Sequence, residues 1–103
     1  MRLHFLKAVA LKKQKKHIAI LGSTGSIGTQ ALEVVDNNRS ELAVEVLTAN
    51  KKADLLIEQA QKFLPNAVVI GEEALYQRVQ NALDPFGIKV YAGENALTSV
   101  VEM

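Results

Sequence analysis

Four short apolar runs, beginning at residue 17, predict strands. Each run is rich in valine, isoleucine, leucine and alanine and ends in glycine or a short polar segment, as strands buried in a sheet do. The runs are HIAILG (17–22), LAVEVLTA (42–49), NAVVIG (66–71) and IKVYAG (88–93).

A segment with helical spacing follows each of these strands. The segments are 26–38, 53–64, 72–83 and the stretch from 94 to the end. In the first, Ile27, Ala31, Val34 and Val35 recur at intervals that predict one apolar face packed on the sheet. The second repeats apolar residues every three or four positions and stops before Pro65, where a helix commonly ends.

The alternation of strands and helices predicts an α/β fold. Strands separated by single helices form parallel sheets through right-handed crossovers. We expect a Rossmann-like parallel sheet with helices on both faces, a three-layer αβα arrangement that is incomplete, with about four strands. The expected strand order is 3-2-1-4, which places the turn after the first strand beside the switch between strands 1 and 4.

The composition indicates which classes of protein the chain can belong to. The chain has 103 residues, 49% of them apolar and 22% charged, which is typical of one soluble globular domain. It has no cysteine, so disulfides, thiolate metal sites and cysteine nucleophiles are excluded. No window of about 18 residues is uninterruptedly apolar, and no membrane span is predicted.

Charge divides the chain into two parts. Residues 1–16 carry six of the twelve basic residues and no acid, whereas residues 17–103 carry six basic and eleven acidic residues. The acidic balance of the longer part predicts no nucleic-acid partner. We therefore expect a basic flexible leader (1–16) before a single folded domain (17–103). An organelle transit peptide, a mobile extension and an upstream start codon chosen in place of one near the first strand all fit the leader. The last two, with a cytoplasmic location, are favoured because the segment is short and lacks serine.

The turn after the first strand, GSTGSIG (22–28), carries the clearest chemical signal. It has the pattern G-x-x-G-x-x-G between a strand and a helix, where unpaired backbone N–H groups bind anions. Gly25 would let a pyrophosphate approach the backbone, and Gly28 would let the helix pack closely on the strand. Ser23, Thr24 and Ser26 could add hydroxyl donors. A tight connection without a ligand is the alternative, since the pattern departs from G-x-G-x-x-G.

The loop after the second strand, TANKKAD (48–54), predicts which dinucleotide binds. NAD sites place Asp or Glu about 20 residues beyond the glycines, on the ribose 2′-hydroxyl. Here Asn50, Lys51 and Lys52 occupy that region, and no acid precedes Asp54. Lysine attracts a 2′-phosphate that a carboxylate would repel, so we expect NADP(H). The alternative is a solvated loop before a helix. We see no metal-binding cluster and no catalytic residue in the sequence.

Two strings, ILGSTGSIGTQALEVV and VLTANKKADLLIEQAQKFLPNAVVI, resemble the amino-terminal NADPH-binding domain of the 1-deoxy-D-xylulose 5-phosphate reductoisomerase family. The resemblance runs from His17 to the end of the chain. It implies part of an enzyme that converts deoxyxylulose 5-phosphate to 2-C-methylerythritol 4-phosphate in non-mevalonate isoprenoid biosynthesis. That enzyme uses NADPH and a divalent metal, Mg²⁺ or Mn²⁺, and the resemblance implies a homodimer in the bacterial cytoplasm.

The resemblance also implies the residues that contact the cofactor. Many members have Gly-Lys-Asn where this chain has Asn50, Lys51 and Lys52, so the central lysine is kept and the contact of Lys52 is in doubt. The family's metal-binding acids, substrate-phosphate residues and active-site flap correspond to positions beyond Met103. The expected cofactor-binding residues are Gly22, Ser23, Thr24, Gly25, Ser26, Ile27, Gly28, Ala49, Asn50, Lys51 and Lys52.

Two other functions fit the same features. Semialdehyde-type and homoserine-type dehydrogenases also open with a strand, a glycine turn and an NADP-binding loop. A non-catalytic module that senses NADP(H) would need nothing beyond them.

Overall fold

The computed structural model describes residues 15–102, in which four strands and four α-helices alternate. Residues 1–14 of the predicted leader lie outside the described residues, and Lys16 already belongs to the first strand. Short 3₁₀ turns flank the third helix at Glu73–Leu75 and Asp84–Phe86. The elements are β1 (Lys16–Ile20), α1 (Ser26–Asp36), β2 (Leu42–Ala49), α2 (Ala53–Phe63), β3 (Ala67–Ile70), α3 (Tyr76–Leu83), β4 (Lys89–Ala92) and α4 (Glu94–Glu102).

The α/β class and the parallel sheet are confirmed, but the predicted strand order is wrong. The strands are all parallel and lie in the order β1-β2-β3-β4. Each crossover moves the chain one place in the same direction. Among the described strands, β1 and β4 therefore lie at opposite edges of the sheet, and the predicted change of direction between strands 1 and 4 is not found. The strands could be recognised from their own residues, whereas the side on which β4 joins depends on contacts between distant segments.

The helices lie on both faces of the sheet. A right-handed connection to the next strand in one constant direction places every connecting helix on one face, and α1, α2 and α3 share the main core there. The fourth helix faces the other side of the sheet, across a cavity of about 420 Å³ lined by Val46, Val69 and Tyr91. The largest core side chains are Ile20, Leu32, Val35, Val44, Leu47, Leu56, Val68, Ile70, Val79, Leu83 and Ile88.

The buried face of α1 differs from the predicted one. Its buried residues are Gly28, Leu32 and Val35. Ile27 is 83% exposed and Val34 54% exposed, so both point into solvent. Gly28 lies against the preceding turn, where a residue with a side chain would not fit. The helix is therefore rotated so that Ile27 and Val34, which we expected to pack on the sheet, lie on its exposed side.

A β-bulge in β2 determines which of its later side chains face the main core. Ile18 pairs with Val44 but Ala19 pairs with Val46, which leaves Glu45 as an extra residue. Leu47 therefore enters the main core together with Val44, although an odd number of positions separates them.

Surface charges join the ends of α1 and α2. Asp36 accepts from Arg39 at 3.0 Å and from Lys62 at 3.4 Å. The Arg39 and Lys62 hydrogen bonds lower the pKa of the Asp36 carboxyl. Within residues 15–102, no helix combines the length and apolar character that crossing a membrane requires.

Two leucines in and beside α2 test where the core lies. Leu56 is fully buried and Leu64, just after the helix, is 60% exposed. We expect Leu56→Ala to lower the free energy of unfolding by about 2–5 kcal/mol, because it leaves a cavity in the core. The control, Leu64→Ala, should change it by less than about 0.5 kcal/mol. Urea denaturation followed by circular dichroism measures both, and equal losses would contradict this packing.

Candidate cofactor-binding site

The candidate site begins at the glycine turn, where two of the three glycines are required by the fold. Gly22 has a φ of +68°, a conformation that L side chains rarely adopt. A Cβ on Gly28 would lie 2.2 Å from the Gly22 carbonyl oxygen and 2.6 Å from the Ser23 Cα. The close approach predicted for Gly28 is therefore confirmed, with the turn itself as the nearest neighbour.

Gly25 is different, because neither its conformation nor its neighbours require glycine. Its φ is −82° and its ψ 176°, which any residue can adopt. A Cβ there would meet the Gly22 carbonyl oxygen at 3.5 Å, an ordinary contact. The side of the turn above Gly25 is thus open.

Two hydrogen bonds to Thr48 anchor the start of the turn. The Gly22 N–H donates to the Thr48 hydroxyl at 2.9 Å, and the Ser23 N–H donates to the Thr48 carbonyl at 2.8 Å. Thr48 is buried near the carboxyl end of β2. These bonds bring the glycine turn beside the loop that follows β2, so the two predicted halves of the site lie at the same edge of the sheet.

Ser23 does not have the predicted role of a hydroxyl donor to phosphate. Its side chain is fully buried, and its hydroxyl donates to Gln59 Oε1 at 2.7 Å. The Gln59 amide in turn donates to the Ser23 carbonyl at 2.8 Å. We did not predict Gln59. A signal was available, because a glutamine on the same face of α2 as Leu56 and Ala60 must find a polar partner when it is buried.

The amino end of α1 carries the groups that suit an anion. The Thr29 N–H makes the first bond of the helix, to the Gly25 carbonyl at 2.9 Å. The N–H groups of Ser26, Ile27 and Gly28 precede it and have no acceptor within the helix. Gly25, as the capping residue, provides no side-chain oxygen. These groups can therefore bind a negatively charged ligand at the open side of the turn.

The loop after β2 is exposed from Asn50 to Lys52, whereas Ala49 is buried. The Ala49 side chain belongs to the core, and its carbonyl accepts from the Gly71 N–H at 2.8 Å. A cofactor at this loop would therefore contact the three residues that follow Ala49.

A third cation joins the two predicted lysines. Lys51 and Lys52 line a shallow cavity of about 310 Å³ that Arg78 and Asp54 also line. The Arg78 guanidinium is paired with the Asp54 carboxylate. Sequence spacing did not reveal Arg78, because it comes from α3, one strand further along the chain.

Metal ligands are not grouped in this part of the chain. Across residues 15–102 there is no group of three or more histidine, cysteine, aspartate or glutamate side chains that could hold a metal ion. The groups that the described site offers to a ligand are the backbone N–H groups at the amino end of α1 and the exposed lysines of the loop after β2.

Comparisons with known proteins agree on one family. The model of the 1-deoxy-D-xylulose 5-phosphate reductoisomerase family matches residues 18–103. The reductoisomerase of Phocaeicola vulgatus is 56% identical over 88 residues, which cover 85% of this chain and 23% of that protein. That of Saccharophagus degradans is 42% identical over 87 residues, which cover 82% of this chain and 22% of that protein.

Solved structures give the same result. The reductoisomerase of Zymomonas mobilis in complex with NADPH matches with a TM-score of 0.83 and 31% identity, over 87% of this chain and 24% of that one. A reductoisomerase in complex with NADPH, fosmidomycin and magnesium shares the fold with a TM-score of 0.73 at 23% identity, over 79% of this chain and 20% of that one.

The chain spans 23% of the length of the Phocaeicola vulgatus relative. The family match extends over nearly all of the predicted domain and includes both the glycine turn and the lysine loop. It separates the chain from the semialdehyde-type and homoserine-type dehydrogenases, which share the turn. The chain belongs to the 1-deoxy-D-xylulose 5-phosphate reductoisomerase family.

Proposed function

We propose that residues 17–103 are the NADP(H)-binding domain of a reductoisomerase that converts deoxyxylulose 5-phosphate to 2-C-methylerythritol 4-phosphate. The observation that carries the proposal is the open glycine turn, in which neither the backbone conformation nor the neighbours of Gly25 require glycine. The likeness to an NADPH-bound member of the family, at a TM-score of 0.83, supports the choice of ligand.

The pyrophosphate of the cofactor lies over Gly25 in this proposal. The N–H groups of Ser26, Ile27 and Gly28 donate to its oxygens, and the positive end of the α1 dipole favours its charge. The hydroxyls of Thr24 and Ser26 are the side-chain donors that remain once Ser23 is turned inward.

The 2′-phosphate lies at the loop that follows β2. Lys51 and Lys52 provide positive charge there, and Asn50 takes the position where many family members have glycine. Asp54, the first acid after this strand, is paired with Arg78, which reduces its repulsion of a phosphate.

The domain binds and orients the cofactor, and NADPH, when bound, supplies the hydride for the reduction. We propose that the substrate and the divalent metal, Mg²⁺ or Mn²⁺, bind the rest of the full-length enzyme, since residues 15–102 offer no cluster of metal ligands. The full-length enzyme is proposed to be a cytoplasmic homodimer.

Substitution of Gly25 tests the placement of the pyrophosphate. Gly25→Val should abolish NADPH binding, measured by fluorescence titration, because its side chain occupies the open side of the turn. The free energy of unfolding should fall by no more than about 1 kcal/mol, since the backbone conformation accepts valine but valine is a poorer N-cap residue than glycine. The contrasting variant, Gly28→Ala, should lose about 1–3 kcal/mol because its Cβ meets backbone atoms. A folded Gly25→Val that binds NADPH normally would place the pyrophosphate elsewhere.

The choice between NADP and NAD tests the lysine loop. The wild-type chain should bind NADPH more tightly than NADH. Lys51→Glu should lower the ratio of the two affinities by about tenfold, equivalent to about 1.4 kcal/mol, because a carboxylate replaces the cation at the 2′-phosphate. Lys62→Glu, at an exposed lysine that pairs with Asp36 at the other end of α2, is the matched control. An unchanged ratio in Lys51→Glu would contradict the assignment.

A further inference from the structure

We propose that Gln59 is a positioning residue for the cofactor: through Ser23 it aims the Thr24 N–H at the open side of the glycine turn. This inference rests on the proposed function, because the Thr24 N–H is taken to donate a hydrogen bond to a phosphate of the cofactor. It adds to the site a residue of α2 that lies 36 positions from the turn.

The contact between Gln59 and Ser23 is reciprocal. The Gln59 Oε1 accepts the Ser23 hydroxyl at 2.7 Å, and the Gln59 Nε2 donates to the Ser23 carbonyl at 2.8 Å. Ser23 is fully buried and Gln59 is 7% exposed, so water does not compete strongly with either bond. Two bonds from one planar amide to two groups of one residue fix both the position and the rotation of Ser23.

The direction of the Ser23 carbonyl determines the direction of the next N–H. A peptide unit is planar and trans, so its C=O and N–H point in opposite directions. Because Gln59 holds the Ser23 carbonyl toward α2, the Thr24 N–H in the same peptide unit points away from α2. We take that direction to be the open side of the turn at Gly25, where the pyrophosphate is proposed to lie.

The turn needs such a restraint because three of its seven residues are glycine. Thr48 fixes the N–H groups of Gly22 and Ser23, and the Gly25 N–H donates to the Gly22 carbonyl at 3.0 Å across the turn, but none of these bonds is made by the peptide unit between Ser23 and Thr24. Gln59 restrains that unit. A turn held in its binding conformation before the ligand arrives loses less conformational entropy on binding.

The two bonds need a side chain with one acceptor for the Ser23 hydroxyl and one donor for the Ser23 carbonyl, which the glutamine amide provides. Glutamate in its charged form can accept from the hydroxyl but cannot donate to the carbonyl, and the two oxygens repel each other. Protonated glutamate can do both, since it has one O–H donor and one carbonyl acceptor. Methionine matches the length of glutamine and removes both bonds.

The experiment measures NADPH and NADH affinities of the full chain for Gln59→Met and for Gln61→Met, an exposed glutamine two positions along the same helix. We expect Gln59→Met to weaken both cofactors by about the same factor, roughly tenfold, because the turn contacts the pyrophosphate they share. The NADPH to NADH ratio should stay unchanged. Gln61→Met should bind as the wild type does.

Gln59→Glu supplies a readout that a purely structural role would not move. Its affinity for NADP⁺, relative to the wild type at the same pH, should be low at pH 8 and recover toward pH 5, as the carboxyl gains its proton. The affinity rises as the pH falls, because only the protonated carboxyl can donate to the Ser23 carbonyl. This arm decides the question if Gln59→Met fails to fold by circular dichroism.

The outcomes separate the two proposals. If wild-type binding is preserved in a folded Gln59→Met, or if Gln59→Glu shows no recovery at low pH, the positioning role is wrong and the proposed function stands. If the wild-type chain binds neither NADPH nor NADP⁺, the proposed function is overturned, and the positioning role with it.

Discussion

The site depends on the attachment of the glycine turn to the end of β2 through Thr48. Two donors of the turn meet the hydroxyl and the carbonyl of this one buried residue. The attachment holds the amino end of α1 and the lysine loop at one edge of the sheet, although these segments belong to different connections. The parallel pairing of β1 with β2 already brings the ends of the two strands together, and the Thr48 bonds fix how the turn continues from there.

The three glycines of the turn serve different physical purposes. Gly22 allows a left-handed backbone conformation, and Gly28 allows α1 to lie against the turn. Gly25 satisfies no such requirement of the protein alone. The same residue type thus meets a constraint of the fold at two positions of the motif and none at the third, and only the structure tells these positions apart.

Sequence patterns were sufficient for the elements, because each depends on residues close together in the chain. The bounds of β2 agree with the prediction residue for residue, and α2 differs by one residue at its end. The predicted strand order was wrong because several crossover directions are compatible with the same local pattern. The glycine turn and the lysine loop were recognisable as a site because motif and spacing lie within one strand–helix–strand unit.

The features that sequence reasoning missed come from contacts between distant segments. We predicted that the Ser23 hydroxyl donates a hydrogen bond to phosphate, but it donates to Gln59, a residue of α2. Arg78 reaches the lysine loop from α3. Ile27 was assigned to the core for its apolar character, yet the close packing of Gly28 turns it outward. In each case the deciding neighbour is not predictable from spacing along the chain.

Because of the bulge at Glu45, the number of residues in β2 matters more for the placement of its side chains than the residue type at the bulge does. Side chains alternate along a strand, so loss of this one extra residue would exchange the two faces for every position on one side of it. Thr48 would then exchange places with its apolar neighbours, and the turn would lose the hydroxyl that accepts from the Gly22 N–H. Glu45 itself is partly exposed and open to replacement. An insertion or deletion in this strand is therefore the genetic change that would most directly separate a folded sheet from a working cofactor site.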